Sequence, residues 1–326
     1  MPSSGAELPT TTTTRPTGVP VTRRAAGARR RLNRLHLQRV RNGLPAVAFA
    51  VPVLLIFLVF SWGPIVRGLV MSLQQTNLID PVKWVGLENF RYVLTDPAVG
   101  QASLNTLWFT LLALLFGFPV PVLLAMFLSE LRGKSWLYST LAYLPVITPP
   151  VVAILLWRFF YDPSPSGMFN TILGTVGLGP FPWLDSPSSA MPSIVLEATW
   201  ASAGNAVIIY LAALTTVRAD LYEAAELDGA GVVRRVWHVM LPHLRGVLLL
   251  MLLLQVIGTM QLFTEPLLFT GGGPQGSTMT ILLLIYNYAF VNGDYGAATA
   301  LSVLLALALA VLSAGFQFAT RGWSTE

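Results

Sequence analysis

The sequence predicts an all-α membrane protein with six transmembrane helices. Of its 326 residues, 54% are hydrophobic and only 11% are charged, whereas soluble globular domains carry about 25% charged residues. Uncharged apolar stretches recur along the chain, and about 20 such residues are enough for a helix to cross the ~30 Å hydrocarbon core of a bilayer. Cysteine is absent, which excludes disulfide frameworks, thiolate metal sites and thiol nucleophiles.

Residues 1–43 are expected to form a disordered, basic cytoplasmic tail. Threonine, proline and glycine dominate its start, and such a composition cannot bury enough apolar surface to fold alone. A basic run follows, with arginine at positions 23, 24, 29, 30, 31, 34, 39 and 41. A nucleic-acid-binding arm is the alternative, but the run has no aromatic residues and adjoins an apolar stretch. The positive-inside rule explains it better, so no nucleic-acid partner is expected.

Six apolar stretches account for the predicted spans, and they cover residues 43–66, 97–129, 136–157, 193–216, 246–264 and 297–320. Pro145, Pro149 and Pro150 lie in the third stretch and predict a broken or bent helix, since proline interrupts helical hydrogen bonding. The additional apolar segment 281–290 is too short to cross a bilayer, so we expect a re-entrant or interfacial helix there.

The basic residues predict the orientation of these spans in the plasma membrane. They concentrate in the tail, in the turn 132–134, in the loop 218–243 and at Arg321, and the positive-inside rule places all four regions in the cytoplasm. Both termini are therefore expected to be cytoplasmic. Basic residues on the predicted outer side are Arg67, Lys83, Arg91 and Arg158.

A charged stretch, DLYEAAELDGAGVVRRVWHVMLP, separates the fourth and fifth spans. Asp220 followed by Glu223 has the spacing of a capping box, which predicts a helix that starts at Asp220. Gly229 and Gly231 are expected to supply left-handed or closely approached backbone that ends this helix or turns the chain. A second short helix should follow, closed by Pro242.

The spacing within this stretch resembles the EAA signature of binding-protein-dependent ABC importer permeases. Glu-Ala-Ala is followed by three residues, Gly229, nine residues, the aliphatic Val239, one residue and Leu-Pro. The string EAAELDGAG is similar to the carbohydrate, maltose-type branch, and so are GLENFRYVL, TGGGPQGST and DYGAATALSVLL elsewhere. An ordinary cytoplasmic linker helix with good caps is the alternative.

The resemblance implies a type I ABC importer permease fold with a cytoplasmic coupling helix. Residues 44–100 would form the first transmembrane helix and an extracellular loop, 101–320 the permease core with its EAA loop 218–243, and 321–326 the cytoplasmic C-terminus. In this family the coupling helix binds the ATPase, which implies a contact through Glu223, Ala224, Ala225, Asp228 and Gly229. The implied partners are a second homologous permease, two ATP-binding subunits, an extracellular sugar-binding protein and membrane lipid.

The sequence offers no catalytic or metal-binding set. It has no GxxxxGK[ST] loop for nucleotide phosphates, no Ser/His/Asp arrangement, and too few ligands around His238 and His243 for a metal site. We therefore expect a non-catalytic transport subunit without a cofactor, in which the partner ATPases bind ATP and magnesium.

Polar residues in the fourth and fifth spans are candidates for a substrate path. Polar groups at membrane depth are costly and mark either helix–helix hydrogen bonds or a transport route. In maltose-type permeases the sugar contacts come from these two helices, and the resemblance carries over by position only. The candidates are Ser202, Asn205, Gln255, Thr259 and Gln261.

The expected substrate is a sugar, either an oligosaccharide or a glycoside, and three alternatives remain. A polyamine would need acidic residues along the path, and only Glu197 and Glu265 are near. A glycerol phosphate would favour arginine, for which Arg158 is the candidate. An ion-coupled secondary transporter would need intramembrane carboxylates and internal repeats, and neither is clear.

Overall fold

The computed structural model describes residues 49–130, 140 and 143–322. Expectations for the tail 1–43, the basic turn 132–134 and the first part of the third span concern residues outside that set. The chain divides into two units, Met1–Val66 and Arg67–Glu326.

The described part of the first unit belongs to helix α1, Phe49–Met71. This helix is 23 residues long and includes a π-helical turn at Leu58–Trp62. Apart from Ser61 and Arg67, its side chains are apolar on all sides of the axis, which is the pattern of a helix surrounded by lipid rather than by water.

The described part of the second unit is helical apart from loops and one short hairpin. The hairpin pairs Gln74–Gln75 (β1) with Lys83–Trp84 (β2) in antiparallel orientation. The helices are α2 Glu88–Thr95, α3 Pro97–Glu130, α4 Pro150–Phe160, α5 Met168–Gly174, α6 Pro187–Leu214, α7 Ala219–Leu227, α8 Val232–Thr259, α9 Thr264–Phe269, α10 Ile281–Val291 and α11 Tyr295–Thr320.

Five of the described helices are long and apolar enough to cross a membrane: α1, α3, α6, α8 and α11. The third predicted span is broken as expected, because residues 143–147 are helical, the helix stops at Thr148 and α4 begins at Pro150. Each residue that precedes a proline is biased away from helical geometry, and Thr148 and Pro149 both do so. The segment predicted at 281–290 is helix α10, which is too short to span.

Side-chain caps fix where several helices begin. Asp96 accepts a hydrogen bond from the backbone N–H of Ala98 and starts α3, whose first residue is a proline. Thr280 and Asp294 do the same for α10 and α11. Such caps satisfy backbone donors that have no partner within the helix.

Three local predictions around the charged stretch are wrong. Helix α7 starts at Ala219, so Asp220 is not the N-cap; it lies in the first turn, where its carboxylate pairs with Arg218. Gly231 has φ −67°, which is not left-handed, and a Cβ atom there would have no other atom within 4 Å, so its backbone is not closely approached either. Pro242 does not close the second helix, because α8 runs from Val232 to Thr259. The proline follows a π-helical turn, where the helix resumes and a missing N–H is tolerated as at a helix start.

Two clusters of buried side chains lie at the two ends of α3 and α6, and the first of them also includes α8. Met126, Tyr210 and Met240 belong to the cluster beside the charged stretch. Phe109 and Ile194 belong to the cluster at the other end, with residues from α4 and α9. A third cluster packs α10 and α11 against α2 and α3. The space between the first two clusters contains the candidate site.

Candidate functional site

A cavity of about 360 Å³ lies between α3, α6 and α8 and extends to α9. Its wall is mostly apolar, with Phe109, Val195, Met251, Leu254 and Leu262 among the lining residues. Polar groups interrupt this wall, and they are Thr199, Ser202, Asn205, Gln255, Thr259 and Glu265.

Four of the five predicted path residues line this cavity, namely Ser202, Asn205, Gln255 and Thr259. Gln261 does not line it. It lies two residues beyond the end of α8, where its exposed side chain donates to the Ile257 carbonyl of that helix at 3.1 Å. The structure thus brings α6 and α8 together around one space and leaves Gln261 outside it.

The hydroxyl groups in the cavity do not join neighbouring helices. Ser202 donates to the Ala198 carbonyl at 2.7 Å and Thr259 to the Val256 carbonyl at 3.1 Å, each within its own helix. The side chain of Asn205 makes no hydrogen bond to any described residue. The lone pairs of these groups are available to a molecule in the cavity.

Gln255 does connect two helices. Its amide nitrogen donates across to the Ala113 carbonyl at 2.9 Å, in the π-helical turn Ala113–Gly117 of α3. That carbonyl also accepts from the backbone N–H of Phe118 at 2.9 Å. Gln255 therefore forms an interhelical contact with its amino group while the residue also lines the cavity.

Sequence reasoning missed Gly117 and Thr199, which lie where α3, α6 and α8 come close to one another. A Cβ atom on Gly117 would lie 3.1 Å from Thr199 Oγ1 and 3.2 Å from Gln255 Nε2. Only a residue without a side chain leaves this space. No local signal reveals this, because a glycine in an apolar run does not show which helix will face it.

Glu265 is the one acidic residue among those that line the cavity. It lies in the first turn of α9, directly beyond the end of α8. Burial raises the pKa of its carboxyl group above the usual value. From the sequence, Glu265 was a candidate only for a path that carries polyamines.

The predicted coupling helix α7 ends in a Schellman motif. The N–H of Ala230 donates to the carbonyl of Ala225 at 2.9 Å, and that of Gly229 donates to Glu226 at 3.0 Å. Gly229 has φ +68°, the left-handed conformation that this motif requires and that glycine adopts without strain.

Helix α7 has one packed face and one exposed face. Tyr222 packs against the buried cluster that includes Met240. Of the predicted contact residues, Glu223, Ala224, Asp228 and Gly229 are exposed, and Ala225 is half-buried. Large apolar side chains are exposed beside them, and these are Leu221, Leu227, Val233 and Trp237. Exposed apolar groups next to charged ones are typical of a protein-binding surface.

An ion-pair network joins this region to α3. Arg235 at the start of α8 forms an ion pair with Glu130, the last residue of α3, and lies 3.6 Å from Glu226 of α7. The side chains of Arg235 and Glu130 are only 14% and 16% exposed. The three charged residues thus tie together the ends of three helices, a contact the sequence alone did not reveal.

The two described histidines both have hydrogen-bonding neighbours. His238 Nδ1 lies 3.0 Å from the Arg234 carbonyl, and His243 Nε2 lies 2.9 Å from Thr216 Oγ1. Within the described ranges, no three His, Cys, Asp or Glu residues are grouped so that they could hold a metal ion.

Long apolar helices surround a polar-lined cavity, and a charged helix lies between two of them in the sequence. This arrangement defines a multi-pass membrane transport subunit. Residues 98–321 match the family model described as binding-protein-dependent transport system inner membrane component. The match covers most of the chain, and the protein belongs to this family.

Relatives with described roles align along most of their length. The chain is 32% identical over 267 residues to the arabinooligosaccharides permease AraP of Bacillus subtilis, covering 81% of this chain and 85% of AraP. It is 33% identical to the trehalose/maltose permease MalF of Thermococcus litoralis, covering 78% and 85%. It is also 33% identical to the sn-glycerol-3-phosphate permease UgpA of Pectobacterium atrosepticum, covering 85% and 94%.

A solved structure of similar fold is a bacterial alginate ABC transporter in complex with an alginate pentasaccharide-bound periplasmic protein. One of its chains superposes with a TM-score of 0.79 at 25% identity, covering 88% of this chain and 98% of that chain. The type I importer permease fold implied by the sequence resemblance is confirmed by this match and by the family model.

Proposed function

We propose that this chain is a transmembrane permease subunit of an ATP-driven importer for a sugar, either an oligosaccharide or a glycoside. The observation that carries the proposal is the cavity between α6 and α8, the two helices that flank the EAA stretch. A sugar leaves water only if its hydroxyl groups find new hydrogen-bond partners, and the cavity offers amide and hydroxyl groups among apolar side chains.

The lining of the cavity favours a sugar over a phosphate ester. Recognition of a phosphate group calls for arginine or lysine, and neither is among the cavity-lining residues of the described chain. Arg158, the sequence candidate, instead donates to the Leu268 carbonyl at 3.3 Å. The arabinooligosaccharide, trehalose/maltose and alginate relatives support the saccharide class.

The proposal includes a set of partners and an orientation. A second permease, two ATP-binding subunits and an extracellular sugar-binding protein would complete the importer, with both termini of this chain in the cytoplasm. Nucleotide chemistry would belong to the ATPases, and this chain would be non-catalytic. The alginate transporter structure, which includes a substrate-loaded periplasmic protein, supports the last of these partners.

Coupling would proceed through α7. Its exposed Glu223, Ala224, Asp228 and Gly229, with Ala225 behind them, would contact the ATPase surface, and closure of the ATPase dimer would move α7. Arg235 links α7 to α8 and α3. Movement of α7 would therefore reach the helices that enclose the cavity, and alternate opening of the cavity to the two sides would follow.

The test is sugar uptake by the complex of this chain with its co-expressed partners in proteoliposomes. Gly229→Asp should abolish uptake and sugar-stimulated ATP hydrolysis while the complex still assembles, because it adds a negative charge at an exposed position of the contact surface. Gly231→Ala is the matched control, since this glycine has ordinary φ and no atom within 4 Å of an added Cβ. Normal uptake by Gly229→Asp would show that α7 is not the coupling element.

The orientation has its own test. Reporter fusions at Ser164 and Gln275 should report outside, and a fusion after Glu326 should report inside. A cytoplasmic signal at Gln275 would contradict the proposed topology.

A further inference from the structure

The cavity has an acidic end. Glu265 lines it at the start of α9, on the side away from the EAA stretch. Glu197 is not a lining residue; it lies on α6 between the lining residues Val195 and Ala198 and is only 2% exposed. One of its carboxylate oxygens is buried and has no hydrogen-bond partner. Helix α9, which carries Glu265, packs against α6, which carries Glu197.

No basic side chain of the described chain neutralises this end of the cavity. Neither carboxylate forms an ion pair with a described residue, and the lining includes no arginine, lysine or histidine. Arg158 comes to α9, but its guanidinium donates to the Leu268 carbonyl rather than to a carboxylate. A negative charge among apolar walls acts over a longer distance than in water, because the surroundings screen it poorly.

We infer that Glu265, supported by Glu197, makes the path selective for uncharged and amino-bearing saccharides and excludes acidic ones. An approaching carboxylate or phosphate would meet a like charge, whereas a protonated amino group would be attracted and a neutral sugar could accept or donate hydrogen bonds. The inference rests on the proposed function. It deepens that function by naming the substrate class that the cavity admits.

The charge of the path can be measured without a substrate or a binding protein, because the chain contains no cysteine. Asn205→Cys places one thiol on the cavity wall. Asn205 is exposed and its side chain makes no hydrogen bond to a described residue, so the substitution removes none. The probes are two thiol-specific methanethiosulfonates of similar size, one with a trimethylammonium group and one with a sulfonate group. They are applied to the assembled complex in lipid nanodiscs at about pH 8, well above the ordinary pKa of a carboxyl group.

We expect the cationic probe to react faster than the anionic one, relative to a reference thiol from Ser164→Cys in the exposed loop before α5. Glu265→Gln, which keeps the shape of the side chain, should reduce the cation-to-anion rate ratio of the Asn205→Cys thiol by about tenfold or more. Glu197→Gln should reduce it as well, and it serves as the second variant if Glu265→Gln does not assemble. Glu88→Gln at the start of α2, outside the cavity lining, is the matched control and should leave the ratio unchanged.

Two results would overturn the inference. One is a cation-to-anion rate ratio for the cavity thiol that equals the ratio for the reference thiol. The other is a ratio for the cavity thiol that neither glutamine variant changes. A lowered ratio in the variants supports it. The ratio does not depend on whether a sugar is transported. A complex with the expected ratio that imports no saccharide would therefore refute the proposed function alone, and one that imports neutral saccharides with an unchanged ratio would refute this inference alone.

Discussion

Gln255→Ala tests whether the polar residues of the cavity contact substrate or only hold helices together. The substitution removes one interhelical hydrogen bond, from Gln255 to the Ala113 carbonyl. The carbonyl keeps its bond to the N–H of Phe118, so no buried acceptor is left without a partner. The cost in stability is then that of one hydrogen bond, about 0.5–1.5 kcal/mol, toward the lower end for a bond between membrane helices.

The effect on transport should be larger than the effect on stability suggests. If a sugar hydroxyl bonds to the Gln255 side chain, its loss costs about 0.5–1.5 kcal/mol of binding, which corresponds to a roughly 2- to 12-fold rise in the half-saturating concentration. Uptake per assembled complex and the melting temperature are measured on the same preparation. Basal ATP hydrolysis should not change, because the coupling helix is untouched.

Gln261→Ala is the matched control, two residues beyond the end of the same helix. It removes the same side chain, but one that is exposed and bonds only to the Ile257 carbonyl within this segment. It should leave both uptake and melting temperature unchanged. If Gln255→Ala lowers the melting temperature yet transports like Gln261→Ala per complex, Gln255 is a helix connector and does not belong to the path.

Three further predictions concern the turn at Gly229, the contact of Gly117 with α6 and α8, and the bonds from Asn105 to the loop before α10. Gly229→Asn should preserve sugar-stimulated ATP hydrolysis and Gly229→Val should lose it, since asparagine tolerates left-handed backbone and a β-branched residue does not. Gly117→Val should lower uptake per complex by crowding Thr199 and Gln255, whereas Gly315→Ala, with open space around it, should not. Asn105→Leu removes bonds to the carbonyls of Gly276 and Met279 at 2.7 and 2.9 Å and should destabilise the chain by about 1–3 kcal/mol in thermal unfolding. A loss no greater than that of Gln101→Ala, which removes only the bond from Gln101 to Asn105 Oδ1 at 3.0 Å, would contradict this role.

Most helices could be predicted because their signals are local. An uncharged run long enough to cross a bilayer is visible in the sequence, and the break at Pro149 follows from the restriction that proline places on the residue before it. Helix ends depend on competition between neighbouring residues. Asp220 and Glu223 have capping-box spacing, but Arg218 takes the N-cap position and pairs with Asp220.

The sequence predicted only part of the candidate site. Polar residues in apolar runs are conspicuous, and the period of a helix places Ser202 beside Asn205, and Gln255 beside Thr259. Their meeting around one cavity depends on how α3 packs, and that depends on Gly117, which gives no signal of its partner. The link between Arg235 and Glu130 joins residues 105 positions apart. Pairing at such a distance cannot be read from spacing, because either charge could equally have faced water.

The continuity of α8 gives the proposed coupling a physical route. The sequence suggested a short helix closed by Pro242 and a separate span after it, and such an arrangement would place a flexible joint between the ATPase contact and the cavity. Instead one helix runs from Val232 to Thr259. Arg235, which holds α7 and α3, and Gln255, which lines the cavity, are thus about 30 Å apart on the same helix at 1.5 Å per residue. A displacement of α7 that pulls on Arg235 must either move α8 as a whole or bend α8 at the π-helical turn Val236–Met240. These two movements of α8 differ in whether the cavity changes shape.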